Sequence, residues 1–263
     1  MLSPRLVATD LDGTLLRTGA LLSPRTRDAL GLVRAAGADI VFATARPPRR
    51  VDAIAAEAGV LGTAICSNGA IVYDLTARSI IRSYTLEHEC ARLVAARLAE
   101  ALPEVSFAVE TGEGVLFEAG YGKPRFPDVR LVASLWDDQE PIVKLLAWSA
   151  RWETEEMAAI ARAAIGDEAE ITYSGSRGLL EISAAGVTKA VTLAGICAER
   201  GIAATEVVAF GDMPNDLAVL LYAGAGYAMA NSHHTVLDAV RRSTLSNDED
   251  GVAIVLERLY AGG

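Results

Sequence analysis

The chain has 263 residues, of which 51% are hydrophobic and 22% are charged, and its formal net charge is -10. This composition excludes a mainly disordered chain, and the length suffices for one large domain or a core with a smaller insert. The acidic balance disfavours a nucleic-acid partner, which would need a clustered basic surface. Without a signal sequence or a run of about 18 apolar residues, we expect a cytoplasmic protein with no membrane partner. The sequence does not predict the oligomeric state.

The first predicted element is a buried strand that ends in two carboxylates. The apolar run at residues 6–8 precedes Asp10 and Asp12. Strand geometry turns both aspartates to the same side, and Gly13 allows a tight turn at the carboxyl end, where open α/β sheets bind ligands. Carboxylates so close repel each other, and a divalent metal is the simplest compensation. The alternative is an ordinary surface turn, since aspartate and glycine are common turn residues.

The chain then alternates between strand and helix patterns. Ser23 and Pro24 predict the start of a helix that Gly37 ends. The elements predicted next are a strand at 39–43, polar residues at 44–47, a helix at 51–58, a strand at 64–66 and a turn at 67–70. We interpret the helix at 51–58, the strand at 64–66 and the turn at 67–70 as completing a third strand-helix unit. Such alternation predicts a parallel sheet with helices on both faces.

The pattern changes in the middle third, where a helix is followed by two strands. The elements predicted there are a strand at 80–84, a helix at 88–102, strands at 105–109 and 114–117, a loop at 120–127, a strand at 142–148, a helix at 153–165, and strands at 170–173 and 179–182. The order recurs, which we interpret as a weak internal duplication. We therefore predict a core of residues 1–80 and 184–263, with an inserted α+β domain of residues 81–183.

After the insert, strand-helix alternation returns with a second acidic strand end. A helix is predicted at 188–200, and a strand at 207–210 leads to Asp212 and Asp216. Pro214 suits the first turn of a helix. The spacing of four lets the two carboxylates converge on one metal or cap the helix dipole. A strand at 227–229 and a closing helix at 251–260 complete the core.

Four short motifs carry a family resemblance. They are Asp10–Thr14, Ala43–Pro47, Gly186–Lys189 and Gly211–Asp216, in the order of the four motifs of the haloacid dehalogenase superfamily. More narrowly, the chain resembles the Cof-type phosphatases, whose cap is inserted between the second and third motifs. The segments Ser67–Ala70, Ala228–Asn231 and Asp250–Ala253 also match habitual family positions. The implied fold is a doubly wound, Rossmann-like parallel-sheet core with an inserted α+β cap. Ala45 departs from the usual glycine, and its methyl group could narrow a phosphate site.

The resemblance implies a Mg²⁺-dependent phosphatase acting on a small phosphorylated metabolite. Asp10 would attack phosphorus and form an aspartyl-phosphate, and Asp12 would protonate the leaving oxygen and then activate water. The metal ligands would be Asp10, the Asp12 carbonyl and Asp212, with Asp216 as an adjacent helper. A carboxylate at Asp12 favours a hydrolase or mutase over the ion pumps of the superfamily, which carry threonine there. The cap would close over the leaving group and exclude water.

The remaining implied contacts concern the phosphate and the leaving group. Phosphate would be held by the Leu11 and Ala45 amides, the Thr44 hydroxyl, Lys189 and Asn215. Arg46 and Asn68 would face the leaving group. Only three of the 24 basic residues are lysines, which favours a selected compact ammonium over a guanidinium at position 189. The alternative is chance retention of a lysine on a solvated helix face.

Several alternatives stay open at the level of the sequence. A phosphomutase would use the same intermediate, a binding module would retain affinity without turnover, and an interaction protein would need an exposed apolar surface. Sugar phosphates, flavin mononucleotide and pyridoxal phosphate are all compatible with what such families handle. Candidate substrate contacts in the insert, equally plausible as exposed loop residues, are Tyr121, Lys123, Arg125 and Arg177.

Overall fold

The computed structural model describes residues 4–122, 128–137 and 139–261. In those residues the strands are, in chain order, β1 (Leu6–Thr9), β2 (Asp39–Ala43), β3 (Thr63–Cys66), β4 (Ile71–Asp74), β5 (Ser79–Ser83), β6 (Ser106–Glu110), β7 (Val115–Phe117), β8 (Val129–Leu131), β9 (Lys144–Trp148), β10 (Ala169–Thr172), β11 (Leu179–Ala184), β12 (Val207–Gly211), β13 (Ala225–Ala228) and β14 (Arg242–Ser243). The helices are α1 (Pro24–Ala35), α2 (Asp52–Ala58), α3 (His88–Ala101), α4 (Thr154–Ile165), α5 (Lys189–Glu199), α6 (Leu217–Tyr222), α7 (His234–Ala239) and α8 (Gly251–Tyr260). None of these described helices has the length and apolarity needed to cross a bilayer.

The chain separates into two units, each with its own sheet. The first is built from both ends of the chain, Met1–Arg82 and Lys189–Gly263, and the second is the intervening segment Ser83–Thr188. The first unit holds an eight-stranded sheet in the order β14-β13-β12-β1-β2-β3-β4-β5. The strands from β14 to β3 are parallel. β1 and β12 are buried along their whole length, as expected for parallel strands covered on both faces.

The helices of the first unit form two packed groups. α1 packs against α8 and α2, whereas α5 packs against α6 and β3. α1 begins where the sequence predicted, because the Ser23 hydroxyl accepts a hydrogen bond from the Thr26 amide and caps the helix. The arrangement confirms the doubly wound parallel-sheet core.

The helix, strand and turn predicted at 51–58, 64–66 and 67–70 are present, but the parallel alternation ends with them. A short 3₁₀ turn at Ser67–Gly69 follows β3, and β4 then returns antiparallel to it. The four residues between β3 and β4 suffice for an antiparallel return but are far too few for the crossover that a parallel strand needs. The strand predicted at 80–84 was assigned to the insert, yet β5 is an edge strand of this eight-stranded sheet.

The second unit contains a six-stranded sheet in the order β10-β11-β9-β6-β7-β8. Its pairs are antiparallel except β7 with β8. α3 packs against α4, and α4 packs on β10 and β11. Because β5 belongs to the other sheet, the recurring pattern is limited to a helix followed by two strands, α3-β6-β7 and α4-β10-β11. This α+β architecture agrees with the fold class predicted for the insert.

Candidate active site

The register of three adjacent strands brings distant polar residues to one sheet edge. β1 lies between β12 and β2, with Thr9 paired to Phe210 on one side and Phe42 on the other. The chain leaves β1 at Asp10, whose amide donates to the Phe210 carbonyl over 3.1 Å. Because the strands are parallel, the residues after each of them emerge at the same carboxyl edge. These residues are Asp10, Thr44 and Asp212.

Lys189 is the buried cation of this edge. It is the first residue of α5 and only 1% exposed. Its ammonium donates to Asp10 Oδ1 and to Asp216 Oδ1, each over 2.7 Å. Burial alone would lower the pKa of Lys189, but the charges of Asp10 and Asp216 outweigh burial and raise it above its ordinary value. Lys189 therefore stays charged and fixes two carboxylates at once.

Asp212 contacts the turn that follows Asp12. The Thr14 hydroxyl donates to Asp212 Oδ1 over 2.7 Å. Gly13 has φ +75°, and a Cβ atom built there would lie 2.4 Å from Asp212 Oδ2. Only glycine fits both this backbone conformation and this close approach. The turn and Asp212 are thus in direct contact.

Asp216 has two roles in the acidic loop. Its Oδ1 pairs with Lys189, and its Oδ2 accepts hydrogen bonds from the Asp212 and Met213 amides, each over 3.1 Å. The second oxygen therefore holds the backbone of the loop. It accepts from amides that precede the helical turn at Pro214–Asp216, which is a capping contact. The same side chain also belongs to the acidic cluster at the sheet edge.

The cluster formed by Asp10, Asp212 and Asp216 fits a hard divalent cation. One carboxylate oxygen from each residue lies within 4.8 Å of the others, and all three residues are buried. Three carboxylates around one ammonium leave an excess of negative charge, and oxygen ligands are those that Mg²⁺ prefers. The ligand expected from Asp12 was its main-chain carbonyl, and the Asp12 carboxylate is not among these three.

Burial and mutual repulsion raise the pKa values of Asp10 and Asp212. Burial raises the pKa of Asp10; Lys189 opposes the increase, and the charges of Asp216 and Asp212 add to it. Burial raises the pKa of Asp212 to about 7, with the charge of Asp216 acting in the same direction and the hydrogen bond from Thr14 against it. A bound cation would favour the charged forms of both groups.

Asp12 is paired with Arg46. The guanidinium donates from Nε to Asp12 Oδ2 over 2.6 Å and from Nη2 to Oδ1 over 2.5 Å. These hydrogen bonds raise the pKa of Arg46, against the effect of burial. The Asp12 side chain is 55% exposed. The sequence analysis expected Arg46 to face the leaving group, and the structure adds that it contacts the expected proton donor.

Thr44 lies in a loop that two strained residues hold in place. Its side chain is 1% exposed, and its Oγ1 accepts a hydrogen bond from the Arg46 amide over 3.1 Å, so the hydroxyl keeps a proton to donate. The Ser67 and Asn68 amides donate to the Arg46 and Thr44 carbonyls over 2.9 and 3.0 Å. Ser67 and Asn68 have φ +50° and +59°, a left-handed conformation that is uncommon for residues other than glycine.

Asn215 and Asn68 contact each other at the edge of this site. The Asn215 Nδ2 donates to Asn68 Oδ1 over 3.0 Å, which links the acidic loop to the turn after β3. The structure thus brings the leaving-group residue expected at 68 beside the phosphate-binding residue expected at 215. The phosphate contacts of the Leu11 and Ala45 amides stay predictions.

The candidate contacts in the insert have other partners where they are described. The Tyr121 ring lies 6.3 Å from that of Trp148 and packs against a small apolar cluster. Arg177 is exposed and pairs with Glu153. Lys123 and Arg125 lie outside the described residues.

Two asparagines contact the turn after Asp12 without having been assigned a role from the sequence. Asn231 donates to the Gly13 carbonyl and Asn247 donates to the Leu16 carbonyl. Asn231 ends one of the segments that match the family, but a side-chain bond to a distant main-chain carbonyl leaves no spacing pattern that would reveal it.

This sheet edge, with aspartates on two adjacent strands and a buried lysine between them, is that of a haloacid dehalogenase-like hydrolase. The family model of that description matches residues 7–256, and the chain belongs to this family. The resemblance to the Cof-type branch is thereby confirmed.

Known relatives span the whole chain. It is 27% identical to the 5-amino-6-(5-phospho-D-ribitylamino)uracil phosphatase YitU of Bacillus subtilis over 98% of both chains. It is 24% identical to the pyridoxal phosphate phosphatase YbhA of Escherichia coli over 96% of this chain and 97% of that protein. A solved structure from Streptococcus mutans superposes with a TM-score of 0.87 at 24% identity, covering 99% of this chain and 100% of that one, which shows a shared fold. The expectation of an enzyme that hydrolyses phosphoric monoesters is confirmed.

Proposed function

We propose that the protein is a Mg²⁺-dependent phosphatase of a small phosphorylated metabolite, working through an aspartyl-phosphate on Asp10. The observation that carries the proposal is the double contact of Lys189, which holds Asp10 and Asp216 by two 2.7 Å bonds inside an acidic cluster that includes Asp212. Asp10 is thereby oriented as a fixed nucleophile rather than left as a mobile surface carboxylate.

The first displacement forms the covalent intermediate. An Asp10 carboxylate oxygen attacks phosphorus, and the bond from phosphorus to the ester oxygen breaks. Asp12 gives its proton to that departing oxygen, so the alcohol leaves neutral. Lys189 offsets negative charge beside the nucleophile, and the Thr44 hydroxyl would hold a phosphoryl oxygen.

The second displacement restores the enzyme. Asp12, now ionised, takes a proton from a water molecule, and the water oxygen attacks phosphorus. The bond from phosphorus to Asp10 breaks, which releases inorganic phosphate and returns the Asp10 carboxylate to its contact with Lys189. The two roles of Asp12 need a carboxylate near solvent, and its side chain is 55% exposed.

Asp10, Asp212 and the main-chain carbonyl of Asp12 would hold Mg²⁺, with Asp216 beside them. When bound, the ion would supply positive charge that lets an anionic carboxylate approach an anionic phosphate. The raised pKa values of Asp10 and Asp212 agree with a site that is overcrowded with negative charge.

The relatives suggest the substrate class. One is named for a phosphorylated ribitylamino-uracil and another for pyridoxal phosphate, and both names describe a phosphate monoester on a small molecule. We propose a substrate of the same chemical class for this chain.

Phosphate release from a metabolite panel tests the proposal. The panel contains both of these compounds, flavin mononucleotide and several sugar phosphates, each with Mg²⁺ and with chelator. We expect Mg²⁺-dependent release that Asp10→Asn abolishes. Turnover in the presence of chelator, or an active Asp10→Asn enzyme, would contradict the mechanism. Isomerisation of a sugar phosphate without phosphate release would identify a phosphomutase instead.

A further inference from the structure

The turn after the nucleophile is held by side chains from a distant part of the chain. Within this turn, the Leu15 and Leu16 amides donate to the Asp10 and Leu11 carbonyls over 3.3 and 2.8 Å. The Gly13 and Leu16 carbonyls instead accept hydrogen bonds from asparagine side chains. Asn231 Nδ2 lies 2.8 Å from the Gly13 oxygen, and Asn247 Nδ2 lies 2.9 Å from the Leu16 oxygen.

The two asparagines are also linked to each other. The main-chain amide of Asn247 donates to Asn231 Oδ1 over 3.0 Å. Because that oxygen already accepts a hydrogen bond, the Asn231 NH₂ group is directed at Gly13. The main chain of Asn247 thus fixes the orientation of the Asn231 side-chain amide, and the side chain of Asn247 fixes the position of Leu16.

The loop that carries Asn231 also contacts the strand end that carries Asp212. The Met229 amide donates to the Gly211 carbonyl over 3.2 Å, and the His233 amide donates to the Asp212 carbonyl over 2.8 Å. Asn231 lies between these two anchor points. One short loop therefore binds the Asp212 backbone through its main chain and the Gly13 turn through a side chain.

These contacts hold the turn where it packs tightly against Asp212. Gly13 lies directly against the Asp212 carboxylate, and Thr14 donates to the same carboxylate. A small shift of the turn would therefore move Asp12 and disturb Asp212 together. Misplacement of catalytic groups by about 1 Å can cost about 100-fold in rate.

We infer that Asn231 is a positioning residue that fixes the Gly13 turn against Asp212, and so sets the distance between the proton donor Asp12 and the metal-binding carboxylate. Asn247 orients the Asn231 amide for this role. The inference deepens the proposed function and rests on it for the role of Asp12. Its effect on Asp212 is independent of turnover and can be measured by Mg²⁺ binding alone.

The test compares two variants of Asn231 with a matched control. Asn231→Asp keeps the size of the side chain and its acceptor but puts an oxygen against the Gly13 carbonyl. Asn231→Ser is a neutral companion that is too short to bridge. Thr244→Val is the control, because Thr244 donates to the Gly251 carbonyl over 2.7 Å in the same unit, without touching the turn.

Three quantities are measured for each protein: the increase in melting temperature caused by saturating Mg²⁺, and kcat and KM on the best phosphomonoester of the panel. We expect both Asn231 variants to lose at least half of the Mg²⁺-induced increase and about tenfold in kcat, with KM changed less than about threefold. Thr244→Val should keep wild-type values for all three.

Wild-type values in both Asn231 variants would overturn the inference, as would equal losses in Thr244→Val. Failure of both variants to fold would overturn it too, since Asn231 would then be required for folding rather than positioning. If the wild type hydrolysed no phosphomonoester but the variants still lost the Mg²⁺ response, the proposed function would fail while the positioning of Asp212 would be supported.

Discussion

Arg46 holds Asp12 through both carboxylate oxygens, with nitrogen-oxygen distances of 2.6 and 2.5 Å. Both oxygens of the Asp12 carboxylate are thus occupied by Arg46, so neither is free to contact a leaving group in this arrangement. The proposed proton transfer from Asp12 therefore requires this pair to separate or rearrange during the reaction. Since Arg46 lies in the loop with Thr44, the pair also links the proton donor to the expected phosphate-binding loop.

Substitution of Arg46 should slow the reaction in a graded way. Arg46→Lys keeps the positive charge but loses the bidentate hydrogen bonding to Asp12, and Arg46→Ala loses both the charge and the hydrogen bonds. Each substitution leaves the exposed Asp12 less well oriented. We therefore expect kcat to decrease from wild type to Arg46→Lys to Arg46→Ala, with kcat of Arg46→Ala about tenfold below that of wild type. Steady-state kinetics on one phosphomonoester measures this. If Arg46→Ala were faster than wild type, the ion pair would be an inhibitory contact instead.

Lys189→Arg should lose most activity, by about 100-fold or more in kcat/KM. Lys189 is 1% exposed, and its ammonium donates to two carboxylates at 2.7 Å, so a larger planar guanidinium would displace Asp10 or Asp216. Phosphate release and far-ultraviolet circular dichroism are measured together. Near-normal turnover would refute the role of Lys189.

Lys144→Arg is the matched control for that substitution. Lys144 is 3% exposed and forms a buried ion pair with Glu181 in the other unit. The substitution places an overlarge cation in a buried ion pair that belongs to the other unit. We expect Lys144→Arg to lose stability but to keep kcat. An equal loss of kcat in both variants would show that the effect at Lys189 is not specific to the site.

The sequence was sufficient to predict that Asp10, Lys189 and Asp212 come together. Asp10 and Asp212 each follow an apolar strand in an alternating strand-helix pattern, and parallel strands end at one edge. Lys189 at the start of α5 could be placed only through the resemblance, since a lone lysine on a helix has no pattern of its own. The proximity of Asp10 to Asp212 then follows from the register of β1 and β12.

The contacts of Arg46 and Asn231 could not be predicted from the sequence. Each is a single side chain that meets a partner from another loop, and its geometry depends on how both loops leave the sheet. The turn at 67–70 was predicted, but the antiparallel strand β4 after it was missed because its four residues are too few for a clear periodic pattern. α7 and β14 were missed because elements of six and two residues are too short for a periodic pattern.

Gly13→Ala should impair Mg²⁺ binding as well as stability. The added Cβ would lie 2.4 Å from Asp212 Oδ2, so the carboxylate or the turn must move. Gly19→Ala is the matched control, since Gly19 has φ +83° and no atom within 4 Å of an added Cβ. Both variants carry the backbone cost of positive φ, about 1 kcal/mol, which lowers the free energy of unfolding in urea.

Only Gly13→Ala should also lose the Mg²⁺-induced rise in melting temperature. The two urea curves separate the backbone cost, which both variants share, from the displacement of Asp212, which only one has. A full Mg²⁺ response in Gly13→Ala would show that the acidic cluster tolerates a shift of the turn and would argue against the tight coupling described above.

The stabilisation of the protein by Mg²⁺ should increase with pH between about 5.5 and 8. The pKa of Asp212 is raised to about 7 in the folded, metal-free protein, so below that pH the carboxyl carries a proton that competes with the cation. Without metal the sign is opposite. An unfolded aspartate ionises near pH 3.9, whereas folded Asp212 does not, so its contribution to the free energy of unfolding declines as the pH rises from about 4 to 7.

Melting temperatures across this pH range, with Mg²⁺ and with chelator, measure both effects. Asp212→Asn should remove the contribution of Asp212 to the pH dependence and most of the Mg²⁺-induced increase together, because an amide neither ionises nor binds Mg²⁺ as a carboxylate does. A Mg²⁺-induced increase that is independent of pH in the wild type, or that survives in Asp212→Asn, would place the cation elsewhere. The pH dependence thus tests the metal site without any assumption about the substrate.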